Sequence, residues 1–196
     1  MDEYIEEKYH VEVGKFQINH SGEKICGDIF LSTRLPDENR VLAVLSDGMG
    51  HGVKANVLAT LTATIAMNLS EEHKEPAAIA EKIMKALPVC SERQISYATY
   101  TIADISLDED TVTILEYDNP RTIIIRGRGI YEPNWEKVEI DNANDKRERD
   151  LRTAKYTPQL EDRIIICSDG ITMSGLGMGL VNGWGRNDLI EYIKQQ

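Results

Sequence analysis

"VLAVLSDGMGHG", Val41 to Gly52, runs five apolar residues and a serine into an aspartate and a loop holding three glycines. A short continuous apolar run ending at glycine reads as a central strand, buried on both faces. Downstream, Val53, Val57, Leu61, Ile65 and Leu69 recur every four residues among alanines and threonines. This predicts a helix from Gly52 to Leu69 whose small residues permit close packing on a sheet. "SEEHKE" is then a polar link, and Pro76 suits the first turn of a second helix ending near Leu87.

Upstream, "HVEVGKFQIN" alternates apolar and polar residues as a half-buried strand does, and "KICGDIFLSTRL" reads as another strand, with "PDENR" turning back into the central one. Beyond the helices, "YATYTIADISLD", "TVTILEYD" and "RTIIIRG" are three successive strand candidates. Asp141 to Arg152 carries eight charges among twelve residues and reads as a solvated loop or hairpin tip. "DRIIICS" predicts a further central strand, "GLGMGLVNGWG" an irregular glycine-rich stretch, and "RNDLIEYIKQQ" a closing helix capped by Asn187 or Asp188. Strands, two helices, strands again and a helix make an α+β fold with mainly antiparallel pairing.

The chain has 196 residues, enough for one domain with a sizeable core. Its net charge of −11 argues against nucleic acid, whose phosphates need a basic footprint, and suits a protein that holds divalent cations. An acidic, well-solvated surface is the plainer reading of the same balance. No apolar run approaches a membrane span, and the acidic start "MDEYIEEKYH" lacks the features of a signal peptide, so the expected home is the cytoplasm, with no membrane partner. Cys26, Cys90 and Cys167 are odd in number and form no CxxC pair, which predicts reduced, mostly buried thiols.

Asp47 lies too far before the helix to cap it, and "GMGHG" has neither the dinucleotide spacing nor a P-loop lysine. Metal ligation and a structural turn both stay open for Asp47 alone. Asp169, in "CSDG" after "RIII", repeats the setting, and Asp28 in "CGDIF" follows a glycine within a strand pattern. Two strands ending in Ser-Asp-Gly could deliver their carboxylates to one edge of neighbouring strands. Three aspartates so placed favour a hard-cation site, Mg²⁺ or Mn²⁺ rather than zinc. His51 could donate a proton to a leaving oxygen, or serve as a polar cap or a partner behind the ligands. Trp135 and Trp184 read as packing residues.

"GD" in a first strand pair, "SDGMGHG" opening a small-residue helix, and "DRIIICSDGIT" late in the chain closely resemble the PPM-type metal-dependent protein phosphatases, and within them the SpoIIE branch. The resemblance spans about Ile25 to Gly185. It implies an αββα sandwich of two mainly antiparallel sheets flanked by helices, with two Mn²⁺ or Mg²⁺ ions at one edge. The implied ligands, which are also the catalytic residues, are Asp28, Asp47 and Asp169, with the Gly48 carbonyl completing the metal set and Asp47 bridging. The implied activity is hydrolysis of phosphoserine or phosphothreonine in a protein, for this bacterial branch a STAS-fold anti-sigma-factor antagonist. A non-catalytic module of the same fold binding a STAS-like partner, and a hydrolase of small phosphate esters, are the alternatives.

Family members continue into a strand bearing adjacent aspartates, whereas this sequence stops at "IEYIKQQ". The expectation is therefore a single domain over 1–196, truncated at its C-terminal end and one carboxylate short, since Asp188 is not carried over as that ligand. Weak second-ion binding, or a homodimer through an unpaired strand edge, would follow.

Overall fold

The computed structural model describes residues 10–19, 22–87, 98–140 and 151–195. Among the described residues, nine strands form two antiparallel sheets. The larger holds β1 (Asp28–Leu35), β2 (Arg40–Gly48), β3 (Ala98–Ser106), β4 (Thr111–Tyr117), β7 (Trp135–Lys137) and β8 (Leu151–Tyr156), in the order β1-β2-β3-β4-β8-β7. The smaller holds β5 (Ile123–Arg126), β6 (Gly129–Tyr131) and β9 (Arg163–Ile165), in the order β6-β5-β9.

Helices α1 (Gly52–Glu71) and α2 (Pro76–Ala86) cover one face of the large sheet, burying Ala63, Ala66, Ile79 and Ile83 with Leu42, Val44, Tyr100 and Leu115. Val112, Ile114 and Tyr156 from the large sheet meet Ile124 from the small one. On the outer side of the small sheet, Ile123 and Cys167 pack against Leu189 and Ile190 of α4 (Gly185–Lys194). The layers are helix, sheet, sheet, helix, the expected αββα sandwich. Strand β4 shows why: Val112 and Ile114 face the second sheet while Leu115 and Tyr117 face the helices.

Pro36 at the start of a short 3₁₀ turn and Asn39 in the left-handed region close the β1–β2 hairpin. Strand β2 is buried on both faces, as its apolar run requires, with Asp47 the one half-exposed position. Helix α1 runs antiparallel along it. At the far end the Arg40 guanidinium grips both Asp104 oxygens and donates to the Ser70 carbonyl at 2.6 Å, tying the end of α1 to the sheet. At the near end the backbone of Ala55 lies on Gly48. No helix among the described residues is long and apolar enough to cross a membrane.

The structure corrects several readings. Residues 10–19 form no strand; they run beside β1, where Arg34 donates to the Val11 carbonyl and Gln17 to the Asp28 carbonyl. The every-fourth stripe that marks α1 is largely solvent-facing, with Val53 64%, Val57 58% and Leu61 44% exposed, while Ala55, Ala59, Ala63 and Ala66 are wholly buried. Along these positions the helix sits so close to the sheet that small side chains fill the space between, with Met67 the one large buried side chain of α1. The "DRIIICS" strand, β9, is an edge of the small sheet rather than a central strand. Helix α4 begins at Gly185 after Trp184, so Asn187 and Asp188 lie inside its first turn. The charged stretch from Asp141 falls outside the described residues up to position 150, and its last two residues open β8, a strand that sequence periodicity had not marked.

Candidate active site

The end of the sandwich at the tip of β2 gathers the three aspartates. Asp28 opens β1 and Asp47 nearly closes β2, and the antiparallel register sets them directly opposite each other. Asp169 does not come from a neighbouring strand, as the repeated motif suggested. It arrives from the other sheet, as the first residue of the one-turn helix α3 (Asp169–Thr172) that follows β9. The two Ser-Asp-Gly motifs thus meet across the sandwich rather than side by side.

Asp47 is the centre of the group. Burial, then the charges of Asp28 and Asp169, push its carboxyl up from 3.8 to about 8, and it lies within hydrogen-bonding reach of both. Like charges this close cannot all ionise without a counter-charge. Either a proton on Asp47 or a bound cation relieves the repulsion. Among the described residues no three histidine, cysteine or carboxylate side chains, these aspartates included, are spaced to hold a metal ion as they stand. Their chemistry nonetheless fits a hard divalent cation: anionic oxygens, half shielded from water, destabilised by their own proximity.

Gly48 is glycine because α1 leaves no room for more. A Cβ there would lie 2.0 Å from the Ala55 carbonyl oxygen, a backbone atom that cannot step aside. A Cβ on Gly27 would lie 3.7 Å from the Gly48 carbonyl oxygen, so that oxygen faces the residue just before Asp28. The loop glycines therefore serve close helix packing as well as openness. Gly52, at φ +72°, makes the turn into α1.

His51 precedes α1 without a side-chain cap bond; its Nδ1 lies 2.7 Å from Glu23 Oε1 at the exposed rim. The Glu23 carboxylate also lies against Gly52, so the positive start of α1 already faces an anion of this chain. Asn56 donates to the Cys26 carbonyl, tying the approach to β1 onto the same helix. Cys167 is buried and its thiol is pushed up to about 11, burial being the main cause, which fits an inert core residue. Cys26 is half-buried and Cys90 lies outside the described residues. Trp184 packs edge-on against Tyr192 of α4, and Trp135, half-buried, packs against the core between the sheets, so both are packing residues as read from the sequence.

Four residues around the aspartates went unmarked by the motifs. Thr99 stands opposite Asp47 on β3 and donates to Asn119, which donates to Thr101 at 3.1 Å. Ser168 donates to Asp28 at 2.7 Å. The one available signal was the serine shared by "LSDG" and "CSDG".

The sequence model of the family described as Stage II sporulation protein E (SpoIIE) matches residues 37–195. The phosphoserine phosphatase RsbX of Bacillus subtilis (strain 168) is 23% identical over 190 residues, covering 97% of this chain and 89% of that protein. The crystal structure of RsbX in complex with magnesium superposes with a TM-score of 0.60 at 21% identity, over 92% of this chain and 84% of that one. The PP2C phosphatase domain of the cell fate determinant SpoIIE from Bacillus subtilis, with a fragment of its regulatory domain, superposes with a TM-score of 0.63 at 20% identity; 87% of this chain matches about half, 47%, of that one.

Proposed function

The chain belongs to the stage II sporulation protein E family, a protein phosphatase of the metal-dependent kind, and we propose that it removes phosphate from phosphoserine or phosphothreonine on a STAS-fold antagonist in sigma-factor control. The observation that carries this reading is the convergence of Asp28, Asp47 and Asp169 from two sheets on one sandwich edge. The naming of RsbX as a phosphoserine phosphatase and its structure with magnesium support it.

In this reading Asp28, Asp47, Asp169 and the Gly48 carbonyl would hold Mg²⁺ or Mn²⁺, two ions on the family pattern. Bound there, the ions would acidify a water and neutralise the phosphate oxygens for in-line attack. The chain's own contribution is preorganisation. The β1–β2 register fixes Asp28 against Asp47, and α1, seated on Gly48 and tied down by Arg40, keeps that strand end from moving. Glu23 holds the His51 ring at the exposed rim, which steadies the loop that follows Asp47.

The test measures Mn²⁺-dependent phosphate release from p-nitrophenyl phosphate and from a phosphoserine STAS protein, each with a chelator control. Chelator-sensitive release from the protein substrate is expected. Release from the small ester alone would make the chain a small-ester hydrolase. Tight STAS binding without release from either substrate would make it a non-catalytic module.

A further inference from the structure

The two Ser-Asp-Gly motifs spend their serines differently. The Ser46 hydroxyl donates to the Thr99 carbonyl at 2.9 Å, an ordinary bond within the large sheet. Ser168 stands where a helix cap belongs, just before α3, and makes no side-chain cap bond. A serine in that position ordinarily accepts from the helix backbone and so caps the helix. Here the residue is only 7% exposed, and its hydroxyl donates instead to Asp28 Oδ2, 140 residues away in sequence, at 2.7 Å. The backbone of Ser168 still accepts from Ile171, so the turn holds without the side chain.

That bond joins two edges. Asp28 lies on β1, an edge of the six-stranded sheet, and Ser168 follows β9, an edge of the three-stranded one. Asp28 and Asp169 come from different sheets, so this bond adds a direct tie between the two strand ends that carry them. A hydroxyl donated to one carboxylate oxygen fixes the rotation of the group and leaves the other oxygen for a ligand.

We infer that Ser168 is a positioning residue, which orients Asp28 and locks it to the Asp169 turn so that the two halves of the metal site form as one unit. The inference rests on the metal-dependent phosphatase reading of the aspartates. Its role is to set metal affinity through Asp28, not to touch the substrate.

The experiment titrates Mg²⁺ into the unaltered chain and into Ser168→Ala, Ser168→Thr and Asp28→Asn by calorimetry, with a thermal melt of each metal-free protein. Phosphate release from the phosphoserine substrate is measured alongside. Ser168→Ala is expected to raise the Mg²⁺ Kd roughly ten- to a hundredfold, with the metal-free melt close to that of the unaltered chain. Its kcat should fall at sub-saturating metal while KM for the protein substrate holds. Ser168→Thr, which keeps the hydroxyl, should restore binding. Should the alanine variant fail to fold, Ser168→Val against Ser168→Thr carries the same comparison, hydroxyl against methyl. Unaltered Mg²⁺ affinity in the hydroxyl-free variant, with binding lost in Asp28→Asn, overturns the inference and leaves the metal site standing. Mg²⁺ binding equal in the unaltered chain and Asp28→Asn, or absent from both, overturns the metal reading and the inference together.

Discussion

Replacing Asp47 by asparagine should stabilise the metal-free protein while removing its activity. The carboxyl ordinarily ionises near 3.8, and in the fold burial beside Asp28 and Asp169 pushes it up to about 8. A group whose folded pKa is raised favours the folded state while protonated. That contribution is complete below about pH 4 and is lost as pH rises through about 8. At pH 7 the cost of confining this acid has a ceiling of about 4 kcal/mol. Water reaches Asp47 in part, and screening brings the working figure to about 1–2 kcal/mol. A domain of this size moves about 2–4 °C per kcal/mol, so Asp47→Asn should melt about 2–8 °C higher at pH 7 without metal. The assay is a set of thermal melts in chelator from pH 4 to pH 8.5. The unaltered protein should lose stability across that window, and the variant should lose much less. Parallel curves, with no gain at pH 7, would refute the account of the carboxylate cluster.

Three further outcomes follow from the packing. Gly48→Ala forces a Cβ to within 2.0 Å of a backbone oxygen and should cost about 2–3 kcal/mol, read as a lower denaturation midpoint, with metal binding impaired because α1 must shift. On α1, Ala59→Leu should cost about 2–3 kcal/mol by prising the helix from the sheet, whereas Val57→Lys should change stability by about 0.5 kcal/mol or less; equal costs would place the wrong face inward. Cys167, its thiol raised to about 11, should stay unmodified by iodoacetamide at pH 8 in the folded protein and react once urea is added, as peptide mass spectrometry would show.

The order of elements was legible because its signals are local. The apolar run of β2, the helix after it and Pro76 at the head of α2 all follow from neighbouring residues. The inward face of α1 was less legible, because bulky residues dominate a periodicity and the face that matters here is made of alanines. Strands β6, β7 and β8 are short or follow a charged stretch, and their pairing is a long-range choice. For the site, three aspartates stood out by their glycine neighbours. That Asp47 and Asp169 reach one another from different sheets depends on how the sandwich closes. The bond from Ser168 to Asp28 is likewise tertiary, since a serine before a helix reads locally as a cap. The approach of Glu23 to the positive end of α1 is tertiary in the same way, with no local signal to mark it.

The central claim is that Asp28, Asp47 and Asp169 form one metal site. Mn²⁺ titration followed by the paramagnetic resonance signal of the free ion tests it most directly, in the unaltered chain and in the three single aspartate-to-asparagine variants. The account predicts one ion held firmly and a second more weakly by the unaltered chain, with uptake reduced in each variant and the largest loss at Asp47. Undiminished uptake in all three variants would contradict it.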